Sequence, residues 1–133
     1  MYNPKSKKAE EFISEIERIT ENKVIHTISQ AEPIGPKKMC DVLLIAPCTG
    51  NTLAKLALGV TDTAVTMAAK SHLRIKRPLL LCIATNDGLG ASAQNFGRLI
   101  NTKNIFFVPL YQDAPDKKPN SLVARFNLME QSV

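Results

Sequence analysis

Apolar residues recur at helical spacing from Lys7 to Thr20: Ala9, Phe12, Ile13, Ile16 and Ile19 fall on one stripe, with Glu10, Glu11, Glu15, Glu17 and Arg18 opposite. That spacing predicts an amphipathic surface helix. Beyond the polar pair Asn22-Lys23, the β-branched run 24–28 reads as a short strand, and 32–38, with two prolines and a glycine, as turn material. The periodicity then changes. Residues 41–46 and 78–84 each hold an almost unbroken apolar run, the mark of strands covered on both faces in a parallel sheet. Between them, Pro47–Asn51 ends the first strand, a helix is expected from Thr52 to Leu58 with Gly59 as its C-terminal cap, and Thr61 or Asp62 caps a second helix reaching Leu73. After the second strand come a loop at 85–90, a helix at Ser92–Ile100 and a further strand at 104–109. Residues 111–120 read as an exposed loop, and 122–126 as a short last strand or part of a lid.

Strands alternating with helices define an α/β class: a flavodoxin-like or Rossmann-like, mainly parallel sheet with helices on both faces. At 133 residues the chain is expected to form one domain, with 111–133 as a loop or lid and C-terminal extension. Composition narrows the partners. The net charge of +5 is spread as +1, +2 and +2 over residues 1–38, 39–90 and 91–133, without a basic arm, and there is no Trp. A single-stranded nucleic-acid platform needs basic and aromatic side chains interleaved, so nucleic acid is disfavoured. No apolar run approaches a bilayer's thickness, and the first residues lack the apolar core of a secretion signal. Cys40, Cys48 and Cys82 form no CxxC pair and offer neither a disulfide framework nor a zinc site, which fits a reducing cytoplasm.

Ligands of open α/β sheets bind beyond the carboxyl ends of the strands, so the loops at 47–52 and 85–88 are the places to look. In the first, the hydroxyls of Thr49 and Thr52, the amide of Asn51 and the free N–H groups of a starting helix converge on a spot suited to an anion or a flat polar ring. The second adds Thr85, Asn86 and the carboxylate of Asp87. The same residue types cap helices and shape turns, and pattern alone leaves both readings open.

Other features read as structure. Gly88-Leu-Gly-Ala-Ser-Ala93 formally satisfies a dinucleotide fingerprint but starts four residues past its strand, and no acidic residue directly follows the strand ending at Pro109 to hold a ribose. Cys48, ahead of a helix N-terminus, is read as a packing residue, and the Lys70–Arg77 cluster as a solvated helix end. His26 and His72 have no second ligand at metal-binding spacing, so a metal is not expected.

The stretch Ala46-Pro-Cys-Thr-Gly-Asn-Thr-Leu-Ala-Lys-Leu-Ala57, followed by Gly59-Val-Thr-Asp62, resembles the signature of the flavoprotein family that includes phosphopantothenoylcysteine decarboxylase and the prenylated-flavin synthases. Ala31–Lys37, Thr66–Lys70, Ala84–Gly90, Asn101–Pro109 and Lys118–Ala124 extend the likeness, from about Ala9 to Gln131, to the branch formed by the B subunits of bacterial dipicolinate synthases. The resemblance implies FMN at Pro47, Thr49, Asn51, Thr52, Thr85 and Asn86, and substrate near Asp87 and Asn120. It further implies oxidation of a dihydrodipicolinate-type precursor for spore formation, with an A subunit carrying NAD(P), in the cytoplasm of a spore's mother cell. No residue matches the catalytic His of the decarboxylases. Two other roles remain open: a non-catalytic scaffold or regulatory partner of the A subunit, and an FMN-binding flavoprotein of other activity. Members open with a strand, a Gly-Ser or Gly-Thr loop and a helix ahead of the segment matching Ala9–Thr20, and the resemblance implies a copy in which that first strand is expected to be missing. The C-terminal helix is likewise expected to be cut short. A sheet lacking a central strand exposes an apolar edge, so self-association or low solubility is expected.

Overall fold

The computed structural model describes residues 4–133, with side chains from Lys8 onward. Helix α1 (Pro4–Thr20) is followed by a short helix α2 (Ile28–Ala31), which runs into a single 3-10 turn (Glu32–Ile34). Strand β1 (Leu43–Thr49), helices α3 (Gly50–Leu58) and α4 (Ala64–Arg74), strand β2 (Leu79–Thr85), helix α5 (Ala93–Ile100) and strand β3 (Ile105–Phe107) form the body. Strands β4 (Leu110–Tyr111) and β5 (Leu122–Ala124) and two 3-10 turns (Phe126–Leu128, Glu130–Ser132) complete the chain.

Strand β2 is the centre of the sheet. It pairs in parallel with β1 (Leu43 beside Leu79, Ile45 beside Leu81) and with β3 (Leu79 beside Ile105, Leu81 beside Phe107). Towards its carboxyl end it pairs antiparallel with β5, which in turn pairs with β4. Of the four strands expected in the parallel sheet, those at 41–46, 78–84 and 104–109 form and run parallel while 24–28 does not, and the mainly parallel flavodoxin-like class holds. The alternation of side chains sorts the sheet into two faces. Ile45, Leu79, Leu81, Ile83 and Ile105 point to one, where Leu53 of α3, Ala69 of α4 and Leu99 of α5 close over them. Leu80, Cys82 and Val108 point to the other, against Ala124, Leu128 and Met129. A third, smaller cluster joins Ala31 and Ile34 to Ala68 of α4.

Several local expectations need correction. Residues 24–28 are not a strand: β1 pairs with β2 alone among the described residues, so no neighbouring strand takes up the hydrogen bonds of 24–28. Thr27 instead caps α2 in a capping box, accepting from the N–H of Gln30 while the Gln30 side chain accepts from the N–H of Thr27. Helix α4 is capped by Thr63, which forms a capping box with Thr66, and not by Thr61 or Asp62. Asp62 instead pairs with Lys55 at 2.8 Å, and the Lys55 hydrogen bond holds its carboxyl below the usual range. Gly59 does close α3, at φ 74°, a backbone conformation that costs a residue with a Cβ. No helix among the described residues is long and apolar enough to cross a membrane.

Candidate functional site

Strands β1 and β2 run level at their carboxyl ends, with Thr49 beside Ala84, so the loops that follow start next to one another. They also touch. A Cβ built on Gly50 would lie 2.7 Å from the Thr85 hydroxyl and 3.4 Å from that of Ser92, so the absent side chain lets the start of α3 close onto the second loop. The third segment arrives from the β5 side, where the N–H of Leu89 donates to the carbonyl of Asn120 at 2.9 Å. All the loops singled out in the sequence thus meet at one end of the sheet.

Within this end the residues divide by what already occupies their polar atoms. Thr49 is the N-cap of α3: its hydroxyl accepts from the N–H of Thr52 at 3.3 Å and donates to the Thr52 hydroxyl at 3.2 Å. Capping is therefore its first duty, and Asn51 is relieved of it. Asn51 stands in the first turn of α3, exposed, and its amide has no hydrogen-bond partner among the described residues. Asn86 is exposed and equally uncommitted. The Thr85 hydroxyl accepts from the N–H of Asp87 at 3.3 Å, and one Asp87 carboxylate oxygen accepts from the N–H of Ser92 at 3.3 Å, so both help shape the second loop. Pro47 and Thr52 open on the far side of β1. There, with Ala46, Val65 and Ala68, they line a hollow of about 290 Å³ along the strand's unpaired edge.

This donor set suits a planar heterocycle with both donors and acceptors on its rim. Two unpaired amides face solvent at the mouth, Gly50 permits close backbone approach, and the N-terminus of α3 favours negative charge. The residues present fit the ring portion of a flavin. Sequence pattern alone did not single out Gly50 and Ser92. Their only signal was position: a glycine just inside a helix start and a serine just before the next helix.

The thiols do not open onto this end: Cys40 and Cys82 lie away from it, and Cys48, though within 47–52, turns its side chain into the core. Cys48 is wholly buried, and desolvation pushes its thiol up to about 12. Burial also raises the thiols of Cys82 and Cys40. Below a pH of about 9 both folded and unfolded chains keep Cys48 protonated; above it the unfolded chain ionises first. Its contribution is therefore complete below about 9 and is lost as pH rises towards 12, so unfolding stability should decline over that window. At pH 8 a thiol reagent should label half-buried Cys40 first, with Cys48 and Cys82 reacting only on unfolding. Fast labelling of Cys48 in the folded chain would contradict its placement. His72, for which spacing offered no partner, has one in space. Its Nε2–H donates to the carbonyl of Pro78 at 3.0 Å, leaving Nδ1 to accept from the Cys40 thiol at 3.6 Å. No group of three metal-ligating side chains occurs among the described residues.

A parallel sheet whose first two carboxyl-end loops close through Gly50 and Thr85 over uncommitted amides defines a class, and the chain belongs to the flavoprotein family, whose pattern it matches over residues 4–119. Within that family it is 50% identical, over 123 residues, to the dipicolinate synthase B subunit of Bacillus subtilis (strain 168), a match that covers 92% of this chain and 62% of that protein. The crystal structure of the B subunit of dipicolinate synthase from Bacillus halodurans superposes with a TM-score of 0.88 at 46% identity, over 91% of this chain and 62% of that one. The resemblance read from the motifs is thus borne out. An FMN-dependent cysteine decarboxylase, SpaF, shares the fold at a TM-score of 0.66 and 22% identity, over 90% of this chain and 69% of that one. The chain spans about 62% of the length of the dipicolinate synthase subunits it matches.

Proposed function

We propose that this chain acts as a dipicolinate synthase B subunit, binding FMN and a dihydropyridine dicarboxylate at the loops 47–52 and 85–88 and working with an A subunit that carries NAD(P). The observation that carries the reading is the 50% identity to such a subunit, which runs through both loops. Bound FMN would supply a hydride acceptor. The chain's own residues would hold and orient. Asn51 and Asn86 donate to and accept from the ring, Thr52 and Pro47 line its far side, Thr49 fixes the start of α3, and Thr85 and Asp87 set the second loop against it. Asn120, whose carbonyl accepts from the N–H of Leu89 beside that loop, would donate its amide to a substrate carboxylate. Forming the aromatic pyridine removes a hydride and a proton from the ring, and neutral amide and hydroxyl donors suffice to hold the two carboxylates meanwhile. The reading places the chain in the mother-cell cytoplasm of a sporulating bacterium, self-associated through its exposed apolar surface.

Reconstitution tests this. Purified chain is mixed with the A subunit of the Bacillus subtilis enzyme, and dipicolinate formation from the dihydro precursor is followed with NADP. Turnover well above that of the A subunit alone is the expected result. No gain would reject the reading. A gain from flavin-free chain that added FMN leaves unchanged would make it a scaffold of the A subunit instead.

A further inference from the structure

The end of the sheet away from the flavin loops carries chemistry that the proposed reaction does not use. Cys40 lies just ahead of β1 and Pro78 just ahead of β2, so both stand at the amino ends of the strands. His72, in the last turn of α4 and wholly buried, touches both. Its Nε2–H is committed to the Pro78 carbonyl at 3.0 Å, which fixes the tautomer and leaves the Nδ1 lone pair facing the Cys40 Sγ at 3.6 Å. A thiol, a ring nitrogen free to take its proton and a carbonyl that orients the ring are the parts of an activated nucleophile. Of the three thiols, Cys40 alone is not wholly buried.

The surroundings carry charge of one sign. The Arg77 guanidinium donates to the carbonyls of Lys38 and Cys40 and pairs with Asp41 at 3.1 Å. Lys37, Lys38 and Lys76, neighbours of these residues along the chain, are exposed and form no ion pair among the described residues. Four cations against one carboxylate draw an anionic reagent to this end. Burial raises the Cys40 thiol, and Arg77 only partly offsets it. Without a base, the folded chain would therefore react more slowly here than the unfolded one.

We propose that Cys40 is a site of reversible thiolation by a carboxylate-bearing low-molecular-weight disulfide, with His72 as its base. The thiol proton passes to Nδ1 as Sγ attacks one sulfur of the reagent. A new S–S bond forms as the reagent's own breaks, and the departing thiolate takes the proton from Nδ1. One thiol and one disulfide are consumed and one of each is made, so no other oxidant is required. His72 ends neutral, and its buried ring carries charge only during the exchange. The site does not depend on flavin binding at the opposite end of the sheet.

Timing the adduct tests this. The whole chain, reduced, is mixed at pH 7 with oxidised glutathione, an anionic disulfide, or with the neutral 2-hydroxyethyl disulfide, and modification of Cys40 is followed by mass spectrometry after acid quenching and digestion. Folded Cys40 is expected to react several-fold faster than Cys40 in the urea-unfolded chain; a slower folded thiol would overturn the proposal. His72→Gln keeps a donor for the Pro78 carbonyl but has no ring nitrogen, and should slow the reaction about tenfold or more. An unchanged rate would remove His72 as the base. Should that variant lose the native circular dichroism, the comparison of folded with unfolded wild type decides alone. Glutathione disulfide should outpace the neutral reagent by a larger ratio in the folded chain than in the unfolded one, and the difference should shrink at high salt. Equal ratios would overturn the anionic class of reagent.

Discussion

Leu81→Ala is expected to remove about 2–5 kcal/mol of unfolding free energy, a large part of the roughly 5–15 kcal/mol that stabilises a domain of this size. Leu81 is wholly buried on the central strand, paired with Ile45 on one side and Phe107 on the other, and packed under the helices of the covered face. The cavity left behind is walled by β-sheet and three helices, which collapse little. Leu44→Ala provides the internal contrast. Leu44 pairs with Leu80, one step along the same ladder, but is 41% exposed on the open face, and its truncation should cost less than half as much. Urea unfolding of the two variants side by side makes the comparison, and equal losses would contradict the assignment of the two faces.

The second large effect concerns Asn51. Asn51→Asp is expected to leave stability unchanged or slightly raised, because an acidic side chain in the first turn of a helix complements its dipole. FMN binding should nevertheless weaken by about 1.5–3 kcal/mol, roughly ten- to a hundredfold, since a carboxylate cannot donate to the ring and repels an anionic ligand. The opposite signs are what make the variant informative. Had Asn51 been the cap of α3, Asp would have replaced it harmlessly and Ala would have cost stability. The cap is Thr49, so that cost moves there: Thr49→Ala should lose about 1 kcal/mol of stability. Unchanged FMN affinity in Asn51→Asp would remove Asn51 from the site.

What the sequence made legible follows the strength of each physical signal. The apolar runs within 41–46 and 78–84 both form strands of the parallel sheet, though each runs on to a threonine, Thr49 and Thr85; only β2 is buried from both sides as expected, while on β1 Leu44 and Ala46 stay exposed. The helix at Lys7–Thr20 was legible from its stripe, since amphipathic spacing is local information; that Phe12, Ile16 and Ile19 stay exposed among the described residues was not. The run 24–28 misled because β-branched residues state a preference, while a strand needs a neighbour to receive its hydrogen bonds. Likewise Thr61 or Asp62 and Thr63 are equally good caps on paper, and only the Thr66 hydroxyl, three residues on, decides for Thr63. At the site, the loops were legible from strand ends and polar residue types. Their mutual contact through Gly50 and Thr85 was not, because it joins positions 35 residues apart that only the fold brings together. Cys40 and His72 stayed hidden for the same reason.

Titrating the complete chain with FMN, following the flavin's visible absorbance and the quenching of its fluorescence, tests the central claim most directly. Saturable binding of one FMN per chain, weakened in Asn51→Asp while Thr49→Ala loses stability, is the result predicted for a flavin seat built from the loops after β1 and β2. A flavin that stays fully fluorescent at every protein concentration, with a chain folded by circular dichroism, would contradict it.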